Sequence, residues 1–248
     1  MQRAFGFVPN LITLLNLSSG VMAVILALEG NLAPAGVFIL VAGVFDFLDG
    51  FSARLLKAYS ELGKQLDSLA DVVSFGVAPG MIAFMLMKKA LPGMNLPLDM
   101  VQGGFVTWLF LLSPLLIPAF SALRLAKFNI DTRQTINFIG MPTPANAILW
   151  ASFAIINGYY ATSEVPMLLF TRSNLLMAII ITSLLLVSEL PMFSLKFTRL
   201  SLSANWYRYA FLMAAVFLLL FLKLYGLPVI ILLYIAMSLS FYLLKIDL

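Results

Sequence analysis

Asp46-Phe47-Leu48-Asp49-Gly50-Phe51-Ser52-Ala53-Arg54-Leu55-Leu56-Lys57-Ala58-Tyr59-Ser60-Glu61-Leu62-Gly63-Lys64-Gln65-Leu66-Asp67-Ser68-Leu69-Ala70-Asp71 is the stretch on which the fold turns. It joins two apolar runs, 33–53 and 67–87, each about the 20 residues that a helix needs to cross a bilayer. Both runs carry aspartates at their facing ends, so they read as consecutive spanning helices around a polar loop near 55–64. Asp46 and Asp49 are spaced i, i+3, and Asp67 and Asp71 are spaced i, i+4; either spacing puts a pair on one helix face. The hairpin then brings four carboxylates to similar depth, close to one membrane surface.

On either side the apolar pattern repeats. Of 248 residues, 62% are hydrophobic and 10% charged, and the mean hydropathy is +1.03. A soluble domain is about half apolar and a quarter charged. Further spans are expected near 11–29, 105–126, 144–161, 173–190, 207–224 and 227–244, the last two joined by a tight hairpin at Tyr225-Gly226. The expected fold is all-α, a polytopic membrane helical bundle of about eight transmembrane helices forming a single integral membrane domain over residues 1–248. Met1–Asn10 is expected as a short interfacial helix. The run from Leu11 reads as the first span rather than a signal peptide, because no A-x-A cleavage site ends it.

Charge sets the orientation. With a cytoplasmic N-terminus, the inner side receives eleven basic residues (Arg3, Arg54, Lys57, Lys64, Arg124, Lys127, Arg133, Lys196, Arg199, Arg208 and Lys245), and the outer side four (Lys88, Lys89, Arg172 and Lys223). By the positive-inside rule both the N- and C-termini are then cytoplasmic. The same rim accounts for the net charge of +4 and the pI of about 9.4 without any nucleic-acid partner. Cysteine and histidine are both absent, which excludes disulfides, Cys/His zinc sites, haem attachment and a thiol nucleophile. Acid–base chemistry falls to Asp, Glu, Lys or Tyr.

An ionisable group inside a span normally faces a cavity, a partner or an ion. Four carboxylates this close repel one another unless cations balance them. Arg54, Lys57 and Lys64 offer part of that balance, and a hard divalent ion such as Mg²⁺ or Mn²⁺ suits an all-oxygen site better. A cluster with a packing role alone is one alternative, although packing does not call for four aspartates. An ion or proton path, as in an ion-coupled transporter, is another. Here the acids crowd one end of two adjacent helices, which favours a reaction site near the surface. Gly50, Ala53 and Gly63 are small enough to let a bulky ligand approach the backbone, or else to let helices pack closely. Arg54, one turn past Gly50, offers a bidentate fork for phosphate, or else an anchor at the membrane surface.

Taken as one pattern, Asp46-x2-Asp49-Gly50-x2-Ala53-Arg54-x8-Gly63-x3-Asp67-x3-Asp71 resembles the complete signature of the CDP-alcohol phosphatidyltransferase family, eight fixed residue types over 26 positions with no departure. Pro9-Asn10-Leu11-Ile12-Thr13 resembles that family's nucleotide-contacting start of the first span. Ser74-Phe75-Gly76-Val77-Ala78-Pro79, Arg124-Leu125-Ala126-Lys127-Phe128-Asn129, Gly140-Met141-Pro142-Thr143-Pro144-Ala145 and the segment from Val187-Ser188 to Lys196 are similar to its bacterial and archaeal phosphatidylserine synthase branch.

The resemblance implies a helical membrane enzyme, usually a homodimer, in the cytoplasmic membrane with its active site facing the cytoplasm. Its substrates would be CDP-diacylglycerol and L-serine, and its products phosphatidylserine and CMP. Asp46, Asp49, Asp67 and Asp71 would hold one or two divalent ions, Mg²⁺ or Mn²⁺, with Asp71 also the catalytic general base. Asn10, Thr13, Gly50, Ala53, Arg54 and Gly63 would bind the CDP portion. Serine is a zwitterion whose carboxylate needs a cation, and Arg124 or Lys127 meets that need unless it is only an anchor; Asn129 is a further hydrogen-bonding candidate. Two alternatives stay open. A sister transferase acting on glycerol-3-phosphate, inositol phosphate or another alcohol would need extra Arg or Lys beside the site. A transporter would produce flux without CMP.

Overall fold

The computed structural model describes residues 6–91, 104–131, 138–195 and 205–244. Helix α1 (Val8–Leu28) carries Pro9 in its first turn, where the missing N–H has no helical partner to lose. Gly30, at φ +83, turns the chain into α2 (Leu32–Leu55). Ser60 starts α3 (Glu61–Val72), its hydroxyl accepting a hydrogen bond from the Gly63 N–H at 3.0 Å. A π turn at Val73–Val77 carries α3 into α4 (Ala78–Ala90), so that Glu61–Ala90 forms one 30-residue helical run. Helix α5 (Phe105–Leu112) passes through a 3₁₀ turn at Ser113–Leu115, centred on Pro114, into α6 (Leu116–Ile130).

Then follow α7 (Thr143–Tyr160), the short α8 (Glu164–Leu169) and α9 (Arg172–Val187), which Thr171 caps by accepting from the Asn174 N–H at 3.4 Å. The last pair is α10 (Trp206–Leu222) and α11 (Gly226–Leu243). Among the described residues the only strands are β1 (Phe138–Ile139) and β2 (Pro191–Met192), paired antiparallel with Phe138 opposite Met192.

Among the described residues, five helical runs are long and apolar enough to cross a membrane: Val8–Leu28, Leu32–Leu55, Glu61–Ala90, Phe105–Ile130 and Trp206–Leu243. The chain is an all-α polytopic membrane protein. Every apolar segment expected from the sequence is a helix. The 38-residue run Trp206–Leu243 is broken where Lys223 adopts φ +52. It doubles back as the expected hairpin, with Tyr207 and Phe241 rings 5.8 Å apart at its far end.

Several details differ from the expectations. The third helix begins at Glu61 rather than near 67, because the Ser60 cap lies ahead of the apolar stretch. Val8–Asn10 form the first turn of α1 instead of a separate interfacial helix, and residues 1–5 lie outside the described residues. So do Arg3, Arg133, Lys196, Arg199 and Lys245 of the basic rim. Periodicity gave no sign of α8 or the β bridge.

The core between α1, α2, α4, α7 and α9 interleaves alanines, among them Ala23, Ala27, Ala35, Ala42, Ala78, Ala147, Ala151 and Ala154, with large side chains such as Ile39, Phe75, Ile82, Leu86, Met87 and Trp150. A Cβ at Gly36 would stand 2.5 Å from the Ala151 carbonyl oxygen, so α2 and α7 meet backbone to backbone. In lipid this kind of close approach holds helices together, because tails are as apolar as the side chains. At Gly20 a Cβ would strike Ser74, whose hydroxyl donates to the Asn16 carbonyl at 3.0 Å. The π turn, directly after Asp71, is thereby locked against α1.

Candidate active site

The last turns of α2 and the middle of α3 bring the acids together. Carboxylate oxygens of Asp46, Asp49 and Asp67 all lie within 4.8 Å of one another. Asp49 is buried and the other two are half-buried. Asp71 joins the group from one turn further along α3, close to Asp46. From the α1 side, Asn16 donates its Nδ2 to Asp71 Oδ1 at 3.4 Å.

Two oxygens in this group, Asp49 Oδ2 and Asp67 Oδ1, are buried without a hydrogen-bond partner. Orphaned buried carboxylate oxygens are costly unless something positive meets them. Ligands on opposite sides of a Mg²⁺-sized ion, bonded at ~2.0–2.1 Å, stand ~4 Å apart. The oxygen spacing and the all-oxygen donor set therefore fit a small hard divalent cation, and the aspartate cluster is a candidate metal centre.

Beside the cluster opens a cavity of about 530 Å³ whose wall includes Asn10, Thr13, Asp49, Gly50, Ala53, Gly63 and Asp67. Five of the six residues expected to bind CDP thus face one space together with two of the acids. The sixth, Arg54, is exposed and lies against Gly50, where a Cβ would stand 3.5 Å from Arg54 Nη1. Gly63 matters for a specific reason. A Cβ there would sit 2.9 Å from Asn10 Oδ1 and 3.0 Å from Ser60 Oγ, filling the seam between α1 and α3. Thr13, whose hydroxyl donates to the Pro9 carbonyl at 3.0 Å, stands beside the Asp49 carboxylate.

A second cavity, of about 330 Å³, takes in Arg124, Lys127, Ile139 and Ser188. Arg124 is buried, with its guanidinium 4.9 Å from the Phe128 ring centroid and 5.9 Å from that of Phe138. It interacts electrostatically with Asp71, which links this cavity to the acid cluster. Asn129 is elsewhere: its Nδ2 donates to Ser68 Oγ at 2.9 Å, tying α6 to α3.

Sequence reasoning missed Asn16, fully buried with its Oδ1 unpartnered, and the rim residues Tyr59 and Ser60, whereas Lys64, named for its charge beside the acids, also lines the rim. The signal for Asn16 was present. Asn10, Thr13 and Asn16 recur every three residues along the first span, and a polar residue in a span calls for a partner.

The model of the CDP-alcohol phosphatidyltransferase family matches residues 6–171. The chain belongs to the CDP-alcohol phosphatidyltransferase family. It is thus a membrane-embedded transferase of phospholipid biosynthesis, and the eight signature residues lie inside the matched span. It is 37% identical over 139 residues to a CDP-diacylglycerol–serine O-phosphatidyltransferase of Bacillus subtilis, covering 56% of this chain and 70% of that one. It is 33% identical over 177 residues to an archaetidylserine synthase of Methanothermobacter thermautotrophicus, covering 71% and 69%. A CDP-diacylglycerol–serine O-phosphatidyltransferase of Helicobacter pylori is 33% identical over 184 residues, covering 73% and 70%. In this CDP-alcohol phosphatidyltransferase, α9, α10 and α11 lie beyond the family match.

Proposed function

We propose that this phosphatidyltransferase moves the phosphatidyl group of CDP-diacylglycerol onto the hydroxyl of L-serine, giving phosphatidylserine and CMP. The observation that carries this is the convergence of carboxylates from α2 and α3 beside a cavity lined by the signature's small residues. The relatives' names add the acceptor, since serine is common to those acting on diacyl and on archaeal lipids.

Asn10, Thr13, Gly50, Ala53 and Gly63 form the walls for cytidine, and Arg54 at their edge clamps the diphosphate through charge-assisted hydrogen bonds. A divalent ion, Mg²⁺ or Mn²⁺, held by Asp46, Asp49, Asp67 and Asp71 supplies charge neutralisation at the diphosphate. Asp71 accepts the serine hydroxyl proton as the new O–P bond forms, and the electron pair of the broken P–O bond leaves with CMP. Asn16 steadies Asp71 for that transfer. Arg124, pinned over two rings near Asp71, and Lys127 attract the serine carboxylate. Asn129 takes a supporting role through Ser68 on α3.

The same reading takes residues 1–248 as one catalytic membrane domain of eight spans. Both termini and the active site face the cytoplasm, the enzyme resides in the cytoplasmic membrane, and two copies form a homodimer. Charge bias supports the orientation; the resemblance supports the dimer.

The test is CMP release by purified protein in detergent with CDP-diacylglycerol, Mn²⁺ or Mg²⁺, and a panel of acceptors. Serine-dependent release that EDTA abolishes is expected. Preference for glycerol-3-phosphate would overturn the acceptor, and no release with any acceptor would overturn the transferase reading in favour of a transporter.

A further inference from the structure

We propose that the groove of about 280 Å³ between α5 and α9 is a lipid site, in which one acyl chain of a bilayer phospholipid lies along α9 while Arg172 holds its phosphate. The groove shares no residue with the two cavities described above, and the proposal does not depend on which acceptor the enzyme uses.

The helices create the space by parting. The 3₁₀ turn at Ser113–Leu115 interrupts the run from α5 to α6. Helix α9 packs against α6 and against this turn, but scarcely against α5. The gap that results has Phe110 on one wall and Ser173, Leu176, Met177, Ile180 and Ile181 on the other. Met177, Ile180 and Ile181 are exposed, so the gap opens outward. In a bilayer such a space is met by acyl chains, which are as apolar as the side chains around it.

A bare apolar face would meet lipid tails in passing; the charged end is what selects one lipid. Arg172 opens α9, directly before Ser173, and its guanidinium lies 5.7 Å from the Phe110 ring centroid. The cation therefore stands at the mouth of the groove, over the same ring that forms its wall. A guanidinium presents a planar fork of donors that matches a phosphate. The first N–H groups of a helix have no intrahelical partner and form the positive end of its dipole, which adds to the attraction for an anion. None of the described residues lining the groove is acidic, so nothing there opposes the phosphate.

The lengths agree as well. From Ser173 to Ile181 the helix rises about 12 Å at roughly 1.5 Å per residue. A hydrocarbon core ~30 Å thick leaves ~15 Å to each leaflet. A phosphate on Arg172 thus sets an acyl chain along most of its leaflet's depth against α9.

The test is native mass spectrometry of the purified protein titrated with dioleoylphosphatidylglycerol, which carries the phosphate, and with dioleoylglycerol, which does not. The wild type should take up one phosphatidylglycerol with a Kd about five- to tenfold below that for dioleoylglycerol, as expected for one interfacial basic side chain. Arg172→Gln should erase that preference and Arg172→Lys should keep most of it. Met177→Trp, which fills the groove, should weaken both lipids alike. CMP release per folded molecule should stay as in the wild type. If a variant folds poorly, the wild-type comparison of the two lipids still decides. Equal Kd values for the two lipids, or variants that bind phosphatidylglycerol as tightly as the wild type, would overturn the site. Lipid affinity that falls together with CMP release would assign the binding to the substrate site and overturn it too. Loss of self-association in Met177→Trp with lipid binding intact would give the groove to a second copy of the chain instead.

Discussion

In the first part of the bundle the helices meet through alanine and glycine, with Gly36 against the Ala151 carbonyl and Gly20 against Ser74; toward the other end of the sequence α10 and α11 meet through rings, with Phe193 at the centre of Tyr207, Phe211, Tyr234 and Phe241. The first kind of contact brings backbones within reach of one another and leaves no slack. An aspartate side chain is short, and α1, packed against both α2 and α3, brings their acids within reach of one another. The second kind is bulkier and is fastened by polar bonds at its ends: the Tyr234 hydroxyl to the Phe193 carbonyl at 2.9 Å, and Arg208 to the Ser194 carbonyl at 2.7 Å. Outward, α10 shows Met213, Val216, Leu220 and Phe221. One region positions chemistry, whereas the other closes the bundle and meets lipid.

That contrast can be broken at four places. Asp67→Asn keeps the side-chain shape and removes one charged ligand candidate, and should lower kcat/KM for CMP release on the order of 10²–10³-fold with an unchanged thermal midpoint in detergent. Asn16→Ala removes the group that steadies Asp71; the expected loss is about 10–100-fold, mostly in kcat, with CDP-diacylglycerol binding retained. Gly36→Val pushes α2 off α7. Overpacking of this kind costs about 1–3 kcal/mol, to be read as a lower unfolding midpoint, and activity should fall with the displaced acids. Phe211→Leu, within the ring cluster, should cost only about 1–2 kcal/mol of stability and leave CMP release per folded molecule as it was. Were Phe211→Leu to damage turnover as Asn16→Ala does, the division between the two regions would not hold.

Much of this was legible in the sequence because membrane physics makes it so. Apolar runs separated by polar punctuation gave every helix except the short α8, since a span must satisfy its own backbone. The aspartates stood out because charge in a span is costly, and their i, i+3 and i, i+4 spacings fixed the shared face. The boundary at Glu61 was missed because the polar turns before Asp67 project beyond the apolar stretch, and only the Ser60 cap marks their start. The π turn at Val73–Val77 has no periodic signature; it depends on Ser74 reaching Asn16 across the helix pair. Asn129 read as a neighbour of Arg124 and Lys127 on α6, but its side chain reaches Ser68 on α3, a contact between elements far apart in the chain. Gly63, by contrast, was picked out for its small size, and its place against Asn10 gives the physical reason.

The central claim is that α2 and α3 each contribute ligands to a single cation site, and an electron paramagnetic resonance titration of Mn²⁺ into purified protein with CDP-diacylglycerol addresses it directly. Saturable binding by the wild type, lost in both Asp49→Asn and Asp67→Asn, is the predicted result. Binding that survives undiminished when either helix loses its aspartate, or no saturable binding at all, would contradict the account.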